Sequence, residues 1–255
     1  MMGILATQTP TNSFGWMTFL AQKYADSFWQ GTWLTLYVAV LGTIIGFVMG
    51  YLIGIVQDIR IVREDNILKK GVVRVLKTVC GVYVEVFRDT PMIVQAMIIY
   101  YGLRQANVPI GIVMAGILVT VLNTGAYMAE TVRAGINSID PGQREGALAL
   151  GMSPMLAMFT VILPQAFKNI IPEMANLFLT NLKMTSVLNV IGLSELFMTA
   201  KTVGGNYYKY FESYLIIAVI YFVLCFFFNR IFLFIEKKMA LKKDYVIAVE
   251  YMDKQ

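Results

Sequence analysis

Polar side chains recur at helical spacing between Asn169 and Ser186, in a stretch that is otherwise mostly apolar. Their separations of 4, 3, 4, 3 and 3 residues place them on one face of a helix. In a lipid-embedded helix such a face must meet water, a polar solute or other polar helices, so it predicts a substrate pathway. A polar seam between helices, including a dimer interface, is the alternative. The residues are Asn169, Glu173, Asn176, Thr180, Lys183 and Ser186.

A second candidate group carries charge next to a short apolar stretch. Residues 91–103 are too few to cross a bilayer alone, so the span must recruit residues before them and draws Arg88 and Asp89 toward the membrane. Thr90-Pro91 provides a cap and a first-turn proline, which predicts a broken helix there. Charges at such a place are pathway candidates. Structural pairing of Arg88 with Asp89 at the cytoplasmic interface is the alternative.

The third apolar segment contains Asn123 and ends in Glu130 and Arg133. Glu130 and Arg133 are three residues apart and can pair on one helix face. Glu130 also shares a face with Asn123, seven residues earlier, which predicts a polar seam reaching inward.

Five apolar segments must position these residues. Hydrophobic residues make up 58% of the chain, charged residues 15%, and the mean hydropathy is +0.65, which is typical of a membrane protein. The predicted fold is an all-α polytopic membrane protein with about five transmembrane helices. A glycine every four residues in the first segment predicts close packing against a neighbouring helix. The segments are 33–56, 79–103, 108–132, 167–192 and 214–235.

The composition argues against several catalytic functions. The 255-residue chain has no histidine and only two cysteines, Cys80 and Cys225, which disfavours a histidine metal site, a Ser/His/Asp triad or a disulfide framework. The sequence has no Gly-x4-Gly-Lys-Ser/Thr loop, so it does not bind ATP in the usual P-loop way. We therefore predict that the chain is not an enzyme.

The distribution of basic residues predicts the topology. With the N-terminus outside, 14 Lys and Arg fall in the inside segments 57–78, 133–168 and 236–255, and four fall outside. We expect residues 1–30 to form an extracytoplasmic extension, with an interfacial helix at about 14–29. Residues 31–236 would form the transmembrane domain, and 237–255 a basic cytoplasmic tail. No nucleic-acid partner is expected.

Residues 137–164, which we call the elbow, have a helix–turn–helix pattern on the cytoplasmic side. Asp140 fits the N-cap position before a proline, and Gln143 fits the matching position of a capping box. Gly151 fits a left-handed helix end. A following Ser-Pro pair predicts a second short helix that ends before Pro164. An elbow of this size is suited to a groove on a soluble partner.

The elbow resembles the EAA loop of permease subunits of ATP-binding-cassette (ABC) importers. Glu145-Gly146-Ala147, Gly151 and Val161-Ile162-Leu163-Pro164 match its spacing, although Gly146 replaces an alanine and Val161 an isoleucine. The resemblance covers about 31–236 and is similar to the polar amino acid uptake branch. It implies a type I ABC importer transmembrane fold. It also implies that the elbow contacts an ATPase through Asp140, Gly142, Glu145, Ala147, Gly151, Leu163 and Pro164.

The resemblance also implies the partners. These are a second permease subunit, a cytoplasmic ATPase dimer that carries ATP and Mg, and an extracytoplasmic amino-acid-binding protein, assembled in a bacterial cell membrane. No cofactor is expected in this chain. ATP binding would close the ATPase pair and rock the attached helices, so that the pathway alternates between inward-facing and outward-facing states.

An amino acid cargo would be met by charges and neutral hydrogen bonds. Arg88 could take the carboxylate, and Glu130 or Glu173 the ammonium group. Three further polar residues, Asn123, Asn176 and Thr180, could supply neutral hydrogen bonds. A permease for another small solute, a self-contained secondary transporter or channel, and a membrane-embedded enzyme remain alternatives.

Overall fold

The computed structural model describes residues 10–59, 61 and 66–240, and in them the chain is helical without strands. Arg60 and Arg63 of the predicted cytoplasmic loop, and the lysines of the tail beyond residue 240, lie outside the described residues. The elements are α1 (Ser13–Lys23), α2 (Ala25–Asp58), α3 (Ile67–Asp89), α4 (Met92–Gln105), α5 (Ile112–Asn137), α6 (Pro141–Ala149), α7 (Pro154–Ala157), a π-helix (Met158–Ile162), α8 (Leu163–Met184), a 3-10 helix (Thr185–Ile191), α9 (Leu196–Tyr207) and α10 (Tyr210–Ala240).

Four helical runs in the described part of the chain are long and apolar enough to cross a membrane: Ala25–Asp58, Ile112–Asn137, Pro154–Ile191 and Tyr210–Met239. The second predicted span is different, because it is divided between α3 and α4 at Thr90 and Pro91. Neither of these two helices meets the length and hydropathy requirement by itself.

The glycine ladder of α2 packs against α5, as its spacing predicts. A Cβ atom at Gly50 would lie 2.5 Å from the carbonyl oxygen of Gly125 and 2.5 Å from Cβ of Met128. The other three, Gly42, Gly46 and Gly54, would also clash with α5. The missing side chains therefore let the two helix backbones approach closely, and α5 contributes many of the buried residues of the bundle.

The glycine-rich sequence Gly204-Gly205-Asn206 predicts a turn in a loop over residues 194–213. This prediction is wrong, because the three residues lie inside α9. A Cβ atom at Gly204 would meet Tyr210 at 3.0 Å, so this glycine serves close packing on α10 rather than a turn. The buried carboxylate of Glu195 caps α9 by accepting hydrogen bonds from the backbone amides of Phe197 and Met198, at 2.8 and 2.9 Å. Burial raises the pKa of the Glu195 carboxyl.

The start of the elbow follows the sequence signals in part. Asp140 caps α6 by accepting a hydrogen bond from the amide of Gly142 at 2.6 Å, and Gly151 has the predicted left-handed φ of 83°. The capping box is not formed, because the side chain of Gln143 accepts a hydrogen bond from Gln165 instead.

The second elbow helix does not end before Pro164, as predicted. It continues through the π-helix into α8, so that 154–191 form one helical run. Pro164 has no backbone N–H and its ring would collide with the carbonyl of Thr160 in a regular α-helix. The wider turns of the π-helix, which contains Thr160, accommodate this proline without ending the helix.

Candidate functional site

The break between α3 and α4 is held by two side-chain amides. Gln95, buried on α4, donates to the carbonyl oxygens of Phe87 and Thr90, each at 2.9 Å. Asn123 of α5 donates to Phe87 at 3.3 Å and to the side-chain oxygen of Gln95 at 3.1 Å. Carbonyls at a helix end have no partner within the helix. These amides satisfy them and attach the break to α5.

The predicted cap at the break forms differently. Pro91, rather than Thr90, is the N-cap residue of α4. The Thr90 hydroxyl donates instead to the carbonyl oxygen of Val86 at 2.6 Å, at the end of α3.

We expect Gln95→Leu to destabilise the protein by about 1–3 kcal/mol, because the carbonyls of Phe87 and Thr90 and the side-chain amide of Asn123 each lose a hydrogen bond. The measurement is thermal unfolding of the purified protein in detergent, followed by tryptophan fluorescence. Gln105→Leu, on an exposed position of the same helix, is the control and should unfold like wild type. Equal shifts for the two variants would contradict this role of Gln95.

A cavity of about 660 Å³, here called the central cavity, lies beside the break. Helices α3, α4, α5 and α8 all contribute to its wall. Arg88, Asn123 and Thr180, all predicted from the sequence, line it together with Asp89 and Asn181. The central cavity therefore combines two opposite charges with amide and hydroxyl groups, which can bind a small polar solute.

The arginines and the carboxylate at the edge of this cavity are paired. Arg88 lies 3.7 Å from Glu130, and Arg133 forms a second, closer ion pair with the same carboxylate. The Arg88 guanidinium also lies over the ring of Tyr127, 5.8 Å from its centre. The predicted pairing of Glu130 with Arg133 is thus present, and the pair that joins α3 to α5 adds Arg88 to it.

A second cavity of about 500 Å³ lies toward the elbow. It is lined by Glu130, Glu173, Ser138 and Asn169, among others, and Asn169 donates to the Ser138 hydroxyl at 3.0 Å. Glu173 has no ion pair with any described residue and faces Asn176, whose amide lies 3.5 Å away. Glu173 is therefore a carboxylate available to a cation from outside this chain.

The polar stripe of α8 faces away from the body of this chain. Five of its six residues are exposed and Ser186 is half-buried. Its members do not all reach one cavity, since Lys183 and Ser186 lie beside Phe197, Tyr214 and Tyr221 in a separate depression. The stripe changes direction there because α8 passes into the 3-10 helix.

Asn181 is a site residue that the sequence pattern did not reveal. Its buried amide donates to the hydroxyls of Thr43 and Thr124, both at 2.8 Å, and so joins α8 to α2 and α5. Asn181 lies next to the predicted stripe in sequence but on the inner face of α8. A buried asparagine in an apolar helix was the available signal.

The elbow has an inner and an outer face. On α6 the side chains of Arg144 and Ala147 face inward, while Glu145 is exposed. A Cβ atom at Gly146 would meet nothing within 4 Å, so the departure from the family pattern leaves no gap inside this chain. Exposed apolar residues extend the outer surface: Leu148, Leu150, Met155, Leu156 and Phe159. A group of exposed apolar residues on one short segment is typical of a protein-binding site.

Comparison with known proteins matches more than half of the chain. The family described as "Binding-protein-dependent transport system inner membrane component" matches residues 68–241. The arginine transport system permease protein ArtQ of Bacillus subtilis is 40% identical over 158 residues, which are 62% of this chain and 72% of ArtQ.

Solved structures agree with this match. A crystal structure of an amino acid ABC transporter with histidines has a TM-score of 0.77 and 38% identity, and covers 86% of this chain and 97% of the other. The MetNI methionine ABC transporter, in an inward-facing conformation, has a TM-score of 0.67 over 82% of this chain and 94% of its own. At 21% identity this second likeness shows the fold alone.

Proposed function

Because the chain belongs to the family of binding-protein-dependent transport system inner membrane components, we propose that this ABC importer permease forms part of a pathway for a polar amino acid. The observation that carries the proposal is the central cavity, where the break between α3 and α4 and the two membrane helices α5 and α8 bring charged and neutral polar groups together. The amino acid class is supported by the relative that is named for arginine transport and by the likeness to an amino acid ABC transporter.

In this proposal the cargo carboxylate takes the place of Glu130 beside Arg88. The ammonium group is taken by Glu130 or Glu173, and Asn123, Asn176 and Thr180 contribute neutral hydrogen bonds. A zwitterion can replace both members of an ion pair without leaving either charge unpaired in a membrane. The Arg88–Glu130 pair would then separate the two cavities until the cargo replaces it.

We further propose that an ATPase dimer, with its ATP and Mg, docks on the exposed outer face of the elbow. Glu145 is the principal polar contact, and Gly151 provides the tight turn between the elbow helices. Asp140, Gly142, Ala147, Leu163 and Pro164 keep the roles in coupling that the family resemblance implies.

The remaining partners follow from the family. We propose a second permease subunit against the outward polar stripe and an extracytoplasmic amino-acid-binding protein on the opposite side from the elbow. The basic loops support an orientation with the N-terminus outside and the C-terminus in the cytoplasm.

The test is co-purification of the chain with its ATPase and binding protein, followed by uptake of a panel of labelled amino acids into vesicles. Uptake that requires ATP and the binding protein supports the proposal and identifies the cargo. ATP-driven uptake of a different small solute would replace the amino acid. Uptake without any ATPase would contradict the coupled mechanism and favour a secondary transporter.

We expect Arg88→Gln and Glu173→Gln each to lower the uptake rate about tenfold or more, because each removes a charge that the cargo would otherwise pair with. The measurement is the initial rate at several cargo concentrations. Glu236→Gln, which removes a carboxylate near the end of α10, is the control. Unchanged transport in both pathway variants would contradict these assignments.

A further inference from the structure

A buried ion pair joins the elbow to α2. Arg144, on the inner face of α6, lies 2.8 Å from the carboxylate of Asp58, which is the last residue of α2. The two side chains are only 18% and 8% exposed, and they are 86 residues apart in the sequence. We call this pair the α2–elbow clamp.

Local helix electrostatics do not account for the clamp. Asp58 places a negative charge at the C-terminal end of α2, and Arg144 places a positive charge in the first half of α6. Each charge lies near the helix end that carries a partial charge of the same sign. Both positions are therefore unfavourable within their own helix, and the contact between the helices compensates for them.

The clamp provides a second connection through which movement of the elbow could reach the membrane helices. The first route is the chain itself, since three residues separate α5 from α6, and α7, the π-helix and α8 form one helical run. The second passes from Arg144 to Asp58, along α2, and through the glycine ladder into α5. Helix α5 carries Asn123 and Glu130, which border the two cavities.

We propose that Asp58 and Arg144 are positioning residues that transmit movement of the elbow to α2, so that α2 moves together with α5 and α8, which the chain joins to the elbow directly. This proposal rests on the proposed docking of an ATPase at the elbow. An effector shifts a conformational equilibrium only through contacts that differ between the states. A rigid clamp would transmit the change at the docking surface to α2. Without it, movement of the elbow would reach α2 only indirectly, through the packing of α5 and α8 against it.

The test uses the reconstituted complete importer with Asp58→Asn, Arg144→Gln and the charge-exchanged double variant Asp58→Arg/Arg144→Asp. We expect both single variants to keep ATPase binding and ATP hydrolysis while cargo transported per ATP falls about tenfold. The double variant should recover to within about threefold of wild type, because the opposite charges meet again. Glu236→Gln controls for the loss of a carboxylate elsewhere.

Three outcomes overturn the clamp. They are a wild-type transport ratio in the single variants, no recovery in the double variant, or loss of ATPase binding in parallel with uptake, which would make the pair a docking contact. Failure of the proposed function looks different, because the wild-type chain itself would then bind no ATPase or transport without ATP.

Hydrogen exchange on the wild-type importer gives a second measurement that does not depend on the variants folding. Addition of ATP should change the exchange of α6 and of the cytoplasmic half of α2 together. A change confined to α6 and α8 would also overturn the proposal.

Discussion

Glu145→Arg is expected to abolish ATP-driven uptake by separating the permease from its ATPase. Glu145 is exposed on α6, so its replacement leaves the packing of this chain intact. A reversed charge at a protein interface costs about 3 kcal/mol or more, which corresponds to about a hundredfold weaker association. The measurement is the amount of ATPase that co-purifies with the variant, followed by uptake into vesicles.

The matched control for Glu145→Arg is Glu236→Arg, which makes the same change of charge near the end of α10. It should keep both the ATPase and the uptake. Retention of the ATPase at the wild-type level by Glu145→Arg would show that the elbow docks through other residues.

Gly50→Val is expected to destabilise the bundle by about 3 kcal/mol or more, because α2 and α5 cannot remain in contact around the added side chain. Its first carbon alone would lie 2.5 Å from the backbone oxygen of Gly125. Backbone cannot move aside as a flexible side chain can. The measurement is the thermal unfolding temperature and the yield of folded protein in detergent.

Gly81→Val tests whether this loss depends on the helix contact. Gly81 lies in the middle of α3, and a Cβ atom there would meet nothing within 4 Å. This variant should stay within about 0.5 kcal/mol of wild type. A similar loss in both variants would mean that valine destabilises any helix of this protein, and the packing argument would fail.

The features that could be predicted from the sequence are those determined by residues close together in the chain. A glycine every four residues marks a close helix contact, Asp140 before a proline marks a helix start, and Gly151 marks a helix end. The ion pair between Glu130 and Arg133 belongs to the same class, because three residues of helix bring the two side chains together.

The features that sequence missed depend on where distant elements meet. Gln95 becomes a structural residue only because the break leaves carbonyls beside it, and Arg144 finds Asp58 across the fold. The incorrect prediction of a turn at Gly204 has a related cause. Glycine is typical both of turns and of close helix contacts, and only the position of α10 shows that Gly204 has the second role. The predicted helix end at Pro164 failed because a π-helix removes the clash that a proline normally causes.

The outward polar face of α8 has a consequence for biosynthesis. A newly inserted copy without a neighbour would present Glu173, Asn176 and Lys183 to lipid tails, which solvate such groups poorly. We therefore expect an orphan copy to be degraded faster by membrane quality-control proteases than a copy whose polar stripe is covered by the proposed second permease subunit. The side chains that would serve the cargo in the finished importer would thus also limit the lifetime of unassembled subunits, and so keep the amount of permease matched to the amount of its partners.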